Sequence, residues 1–211
     1  MWQSETVDNV ELIWSNELCD VHRFVVGPVA NNVYVARCRR TGIATLIDAA
    51  NEHDRLVRVA KHLGVQSVLE THGHWDHIGA VEQVREAGID VWVRSEDAAL
   101  LPSYDHLLDD DVVHAFGDLR LRTLHTPGHT PGSISFALEG TPLLFTGDTL
   151  FPGGPGNTTF DGGDFTTIIR SIDERVFRVF GDETIILPGH GESSTIGIER
   201  PHLDEWVNRG W

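Results

Sequence analysis

The stretch Thr71-His72-Gly73-His74-Trp75-Asp76-His77 constrains this chain more than any other, because four of its seven side chains can each give a lone pair to a metal ion. On a helix His72 and His74 would point to opposite sides, whereas residues two apart in an extended segment share a face. The spacing therefore predicts an extended loop in which His72, His74 and Asp76 converge and His77 turns toward a second centre. The flanks agree with a loop. Val65 to Leu69 is a short apolar, β-branched run that reads as a buried strand, and Ile78 to Gly88 has helical apolar spacing closed by a glycine.

Two ions need more ligands than one loop supplies, and three later points offer them. His129 lies in Thr126-Pro127-Gly128-His129-Thr130-Pro131-Gly132, Asp148 in Thr146-Gly147-Asp148-Thr149-Leu150-Phe151, and His190 in Leu187-Pro188-Gly189-His190-Gly191. Each follows an apolar run and is flanked by glycine or proline, the pattern of a strand giving way to a tight loop.

The ordered set THGHWDH, PGHTPGS, GDTLF and PGHG resembles the metallo-β-lactamase superfamily of metal-dependent hydrolases, and its second and third motifs are similar to the hydroxyacylglutathione hydrolase (glyoxalase II)-like branch. The resemblance runs from about Asn32 to Gly191 and implies an α/β fold, a four-layer αββα sandwich of two central mixed sheets flanked by helices. It implies that His72, His74 and His129 ligate a first ion, Asp76, His77 and His190 a second, and that Asp148 bridges them. Asp48 matches the family's first aspartate, which organises the metal loop from outside the ligand set, and reads equally as a strand-end turn residue.

Mixed nitrogen and oxygen donors without thiolate suit two divalent ions, zinc first, with iron or manganese as alternatives. Ions roughly 3.5–4 Å apart can share a water and hold it as hydroxide near neutral pH, which makes that hydroxide the expected nucleophile on a small ester or thioester, with Asp76 and Asp148 as the catalytic carboxylates. No GxSxG elbow competes with this reading. Two alternatives share the motifs: a persulfide dioxygenase with one iron on His72, His129 and Asp148, and a non-catalytic metal-binding module.

The loop Gly153 to Phe160 follows GDTLF, reads as flexible, and supplies the candidate substrate contacts Asn157 and Phe160. Glutathione-specific relatives place an arginine or lysine just after the glycine here, and a neutral amide at Asn157 cannot make that charge-assisted bond. With only a short stretch after PGHG, the helical extension with which long glyoxalase II proteins hold glutathione is not expected here. Trp75 sits between ligands and could pack against the metal loop or line the entrance, with packing the default. His106, His114 and His125 read as ordinary surface or packed histidines.

Composition narrows the partners. Asp and Glu total 32 against 16 Lys and Arg, a formal charge of −16, so nucleic acid and anionic membranes are not expected partners and a small molecule is. Cys19 and Cys38 are too few for a disulfide framework and read as buried small hydrophobes. With no basic start followed by an apolar core, and no apolar run near 18 residues, the expectation is a cytoplasmic protein. No Ser/Gly-rich linker divides the 211 residues, so residues 1–211 read as one domain.

The rest follows in order. Strands are predicted at Val10–Trp14, Val21–Val26, Asn32–Arg37 and Ile43–Asp48 as an antiparallel meander, then a helix over Glu52–Leu63 and a strand at Ile89–Val93. A short helix over Glu96–Leu101 is expected, then a solvated acidic turn at Asp109-Asp110-Asp111. Strands at Val112–Phe116, Leu119–Leu124, Ser133–Leu138 and Leu143–Phe145 imply a second sheet. A helix over Asp164–Phe180, a strand at Thr184–Leu187 and a helix from Pro201 to Trp211 complete the chain.

Overall fold

The chain begins with four consecutive antiparallel strands, β1 (Glu11–Ser15), β2 (Cys19–Val26), β3 (Asn31–Cys38) and β4 (Ala44–Ile47), and then changes to parallel pairing for β5 (Val65–Leu69), β6 (Asp90–Arg94) and β7 (His106–Leu108). The computed structural model describes residues 9–210. The change of direction has a covalent cause. A parallel neighbour needs a crossover, and α1 (His53–Leu63) and α2 (Val81–Glu86) provide it between β4 and β5 and between β5 and β6. In α1, Leu56, Val59, Ala60 and Leu63 form the buried stripe, and Gly64, at φ 78°, ends the helix by returning its N–H to the carbonyls of Ala60 and Lys61.

The second sheet runs in the order β15 (Ser194–Thr195), β14 (Ile185–Pro188), β11 (Leu143–Gly147), β10 (Ile134–Leu138), β9 (Leu119–His125), β8 (Val113–Phe116), with β11 and β14 parallel and the other pairs antiparallel. Period-two alternation divides the apolar residues among three layers. On β3, Val33 and Val35 face the helices while Tyr34 and Ala36 face the other sheet. On β11, Leu143 and Phe145 face inward while Leu144 meets Ile168, Ile172 and Val176 outside. Three apolar layers separate four layers of structure, the αββα sandwich.

The outer helix over the second sheet starts as α3 (Phe165–Ser171), capped by Asp164, whose carboxylate accepts from the Thr167 N–H at 2.6 Å, and continues as a π-helical turn over Ile172–Phe177. The C-terminal part is α4 (Ile196–Glu199), a 3-10 turn over Arg200–His202, and α5 (Leu203–Arg209). The last helix thus begins beyond Pro201; Trp211, like residues 1–8, lies outside the described residues.

Three other expectations change. Only a 3-10 turn, Ala98–Leu100, forms where a helix over Glu96–Leu101 is predicted, because the Asp97 carboxylate points at the site loops instead of capping a helix. The start of the predicted flexible loop belongs to a hairpin, β12 (Leu150–Phe151) with β13 (Gly154–Pro155). The acidic turn is exposed as expected, and its carboxylates are also paired: Asp110 takes the His125 N–H and meets Arg175, and Asp111 meets Arg122. The helix predicted from Ile78 begins at Val81, after a turn in which the Ala80 N–H bonds the Ala49 carbonyl.

Cys19 and Cys38 face each other across β2 and β3 as buried free thiols, as expected of small core residues. Among the described residues no helix is long and apolar enough to cross a membrane.

Candidate metal centre

The site stands at one rim of the sandwich, where the C-terminal ends of β4, β5, β9, β11 and β14 give way to the loops carrying Asp48, His72 to His77, His129, Asp148 and His190. Strand ends on a rigid double sheet are a natural place to hold side chains in fixed register. Hydrogen bonds join the sheets at this rim, among them the Ile134 N–H to the Thr71 carbonyl at 2.9 Å and the Asn32 N–H to the Gly189 carbonyl at 2.7 Å.

All seven expected donors are brought together. His72, His74 and His129 form one group, His72, His77 and Asp148 a second, and Asp76, His77 and His190 a third, with the donor atoms within each group no more than 4.8 Å apart. Asp148 lies among the groups: one oxygen is 3.5 Å from His77 Nε2, and the other is 3.5 Å from His129 Nε2 and 3.6 Å from His190 Nε2. The loop departs from the alternation read in the sequence. Asp76 does not join His72 and His74. The His77 N–H bonds back to the His74 carbonyl at 2.9 Å, and that turn swings Asp76 to within 3.3 Å of His190 Nε2.

The outer nitrogen of four imidazoles is already engaged. His77 Nδ1 meets Asp48 at 2.8 Å, His129 Nδ1 the Asn157 carbonyl at 2.6 Å, His190 Nδ1 the Val29 carbonyl at 3.0 Å, and His72 Nδ1 the Thr71 hydroxyl at 3.0 Å. Carboxylate and carbonyl partners demand an N–H, which leaves the Nε2 lone pair aimed at the centre. The Thr71 hydroxyl donates to Asp48, so it accepts from His72 and gives the same result. His74 is turned the other way, with Nδ1 2.8 Å from His129 Nε2.

A divalent cation fits this set. His72 Nε2 and one Asp148 oxygen are buried without any hydrogen-bond partner in the protein, a costly arrangement for polar atoms unless something electropositive lies between them. Gly189 is packed for the same reason: a Cβ there would fall 2.2 Å from Asp148 and 2.7 Å from His77.

Support comes from residues the sequence reading passed over. Asp97, fully buried, accepts from the Gly73 N–H at 2.8 Å, the Thr130 hydroxyl at 2.7 Å and the Gly132 N–H at 2.7 Å, tying the loops of His74 and His129 together. Asn32 donates to the Pro188 and Gly191 carbonyls and Tyr34 to Pro188, fixing the turn that carries His190, while the Asn31 amide donates to Asp76 at 2.9 Å. The sequence signal was faint: two asparagines opening a strand, and an aspartate before a small-residue turn. Asp48 shows its role clearly. Buried at φ 65°, it accepts from the Thr71 N–H, the Thr71 hydroxyl and His77.

Replacing Asp97 by alanine leaves the Gly73 and Gly132 N–H groups unmatched, at about 1–3 kcal/mol each. The expected result is a lower melting temperature together with loss of one metal equivalent in a titration followed by elemental analysis. An unchanged stoichiometry in folded Asp97→Ala would refute the tie between the two loops.

The protonation pattern is uneven. Burial, then the neighbouring imidazoles of His77, His129 and His74, drive His72 well below its ordinary value, and burial lowers His74. For His77 burial also works downward, but the carboxylates of Asp148, Asp48 and Asp76 overcome it and hold the imidazole up to about 9. His190 is raised against its burial by Asp76 and Asp148. Burial works to raise the Asp76 carboxyl, and His190, His77 and Asn31 outweigh it, leaving it below the usual carboxylate range.

Without metal, then, His72 is neutral while His77 carries a proton at pH 7. A raised imidazole stabilises the metal-free fold fully below its unfolded value near 6.5, and the benefit is lost as pH climbs through about 9. Cation uptake must displace the proton, so binding at pH 7 should release about one to two protons and strengthen as pH rises. Calorimetry in buffers of different ionisation enthalpy measures this, and a proton count of zero would contradict the pattern.

Two openings reach the centre, of about 350 and 450 Å³, sharing His129, Asp148, Phe160 and His190. Asn157 lines the first, while its side-chain oxygen accepts the Thr159 N–H. Trp75 lines the second and, contrary to the packing expected of it, is 64% exposed. Phe160 stands between them with its ring edge-on to His74, centroids 5.3 Å apart.

The sequence profile of the metallo-beta-lactamase superfamily matches residues 26–190. The chain belongs to this superfamily. Its sequence is 35% identical over 179 residues to hydroxyacylglutathione hydrolase GloC of Haemophilus influenzae, covering 74% of this chain and 84% of the relative. Among solved structures, the B3 metallo-beta-lactamase BLEG-1 superposes with a TM-score of 0.81 at 30% identity, over 86% of this chain and 97% of that one. TTHA1623 in a di-iron-bound form superposes with a TM-score of 0.75 at 27% identity, over 84% and 96%. Members of the superfamily bind divalent metals, and the histidine and aspartate groups here are suited to one.

Proposed function

We propose that this chain is a hydrolase that uses two divalent cations to cleave the ester or thioester bond of a small molecule. The observation that carries the reading is the position of Asp148, within 3.6 Å of imidazoles from both sides of the centre at the floor of two open cavities. His72, His74 and His129 would hold one cation and Asp76, His77 and His190 the other, with Asp148 placed to serve both. Bound there, the cations supply a Lewis acid for the carbonyl oxygen and lower the pKa of water toward neutrality. Zinc is the metal we assign first, since nitrogen and carboxylate donors suit it, and the di-iron relative makes iron the alternative.

The chain's own residues do the rest. The outer hydrogen bonds of His77, His129 and His190 keep the inner nitrogens from turning away. Asp76 lines the wider cavity as an ionised carboxylate, placed to orient water and accept its proton. Phe160 walls both openings, and Asn157 anchors the loop beside it while lining the narrower one. The similarity to GloC supports a thioester as the bond attacked.

A one-iron dioxygenase would need only His72, His129 and Asp148, and the complete Asp76, His77 and His190 group beside them favours a second ion. The test is metal analysis with a thioester assay and oxygen uptake on a persulfide. Two equivalents and metal-dependent thioester cleavage are expected. One iron with oxygen consumption would replace this reading, and a metal-loaded protein inert toward thioester, lactone, phosphodiester and β-lactam would end its catalytic half.

A further inference from the structure

The two openings differ in chemistry, and neither is built for an anion. Val29, Trp75, Leu100 and Phe160 wall the wider one; these apolar side chains are 44–64% exposed, so they leave a large apolar surface in water beside the centre. The wall is fixed to the site. Trp75 lies between His74 and Asp76 in the chain, and Leu100 packs so close to Gly73 that a Cβ there would come within 2.8 Å of it. Among the described residues, the one charged side chain lining that wall outside the donor set is Asp161.

The narrower opening is lined by Phe151, Pro152, Pro155, Asn157 and glycines, and among the described residues no lysine or arginine lines either. Three backbone N–H groups of its loop are already engaged. The Gly153 N–H is bonded to Glu199, the Gly156 N–H to the Thr149 carbonyl and the Thr159 N–H to Asn157. A carboxylate or phosphate on either arm of a substrate would lose water without gaining a charged partner. It would also approach a chain of formal charge −16.

We infer that the substrate is an uncharged ester or thioester with an apolar arm, which lies on Trp75, Leu100, Phe160 and Val29, and with no anionic group on either arm. This rests on the hydrolase reading above and adds the chemical class that the site selects. Water is consumed, the acyl–sulfur or acyl–oxygen bond breaks, and the carboxylic acid and the thiol or alcohol leave. Asp161 acts here as the specificity-determining charge.

The test uses the metal-loaded enzyme with S-benzyl thioacetate and its para-carboxylate, a pair whose leaving thiols differ little in acidity because a methylene insulates the ring. At low salt the neutral ester should have a kcat/KM at least about tenfold higher, the gap closing as ionic strength rises. Asp161→Lys should narrow the gap by roughly tenfold, mainly by raising the rate for the carboxylate. Trp75→Ala and Leu100→Ala should each raise KM for the neutral ester several-fold, with kcat and the melting temperature little changed.

Equal or better turnover of the carboxylate would overturn the inference while leaving the hydrolase standing, and so would an unchanged KM in both apolar variants. If neither thioester is cleaved, the ketone pair in which CH₂ replaces sulfur, titrated by calorimetry, decides the matter. Tighter binding of the neutral ketone upholds the selectivity even though the hydrolase reading has failed, and equal or tighter binding of the carboxylate overturns it.

Discussion

Asp148→Ala should reduce bound metal from about two equivalents to one or fewer and lower kcat/KM by about 10³-fold or more, roughly 4 kcal/mol of transition-state stabilisation. The size follows from geometry. Asp148 is the single carboxylate within 3.6 Å of Nε2 on His77, His129 and His190 together, and its partnerless oxygen is already stripped of water. Alanine removes the carboxylate that reaches imidazoles of both groups and leaves Asp76 beside His77 and His190 alone, so the two positions can no longer be filled as a pair. His114→Ala is the matched control. That ring bonds the Ser67 hydroxyl at 3.2 Å and meets Trp92 edge-on, and it belongs to none of the donor groups. Elemental analysis and steady-state kinetics on both variants decide the outcome. An Asp148→Ala protein with full metal content and near-normal rate would show that the wrong carboxylate has been placed at the centre.

The second large effect is expected at Asp48, which touches none of the cavities. Asp48→Ala removes the acceptor of three buried donors at once, including the N–H of His77, which is fully buried. Breaking such a buried pair costs about 3–5 kcal/mol, and at about 2–4 °C per kcal/mol for a domain of this size the melting temperature should fall by roughly 10 °C. Metal affinity should weaken about 10–100-fold, because His77 is then free to rotate. Asp48→Asn separates the two consequences. Its shape suits the left-handed backbone at φ 65°, so stability should be largely kept, while an amide that places NH₂ where His77 or Thr71 must donate still disturbs the site. Differential scanning fluorimetry with metal titration would show the split. Equal affinity in all three proteins would mean that Asp48 supports only the strand end.

Much of this was legible because strong local signals coincide. The alternation of Val33, Tyr34, Val35 and Ala36 marks β3 and its two faces, and glycine or proline beside His129, Asp148 and His190 marks strand ends. The loop itself was misread in one respect. Strict two-residue alternation groups Asp76 with His72 and His74, but a single turn bond from His77 to the His74 carbonyl overrides it, and turn formation of that kind depends on what the loop packs against. Asp97 was missed for a similar reason. Nothing local distinguishes an aspartate that caps a short helix from one that reaches across to Gly73, Thr130 and Gly132, since those partners arrive from 24 to 35 residues away. The strand β7 is three residues long and lacks any period of its own, so only its pairing with β6 defines it.

One feature of the rim reaches beyond chemistry. Donors 72 to 77 hang from the first sheet, and those at 129, 148 and 190 hang from the second, so neither half of the polypeptide holds a complete set. Ions bound across that seam would rivet the halves together, and because an unfolded chain offers no such cage, occupancy adds RT ln(1 + [M]/Kd), about 2.7 kcal/mol at a hundredfold excess over Kd. Chelation should therefore loosen the seam first, and two fragments cut near residue 110 should find each other better with zinc than without it.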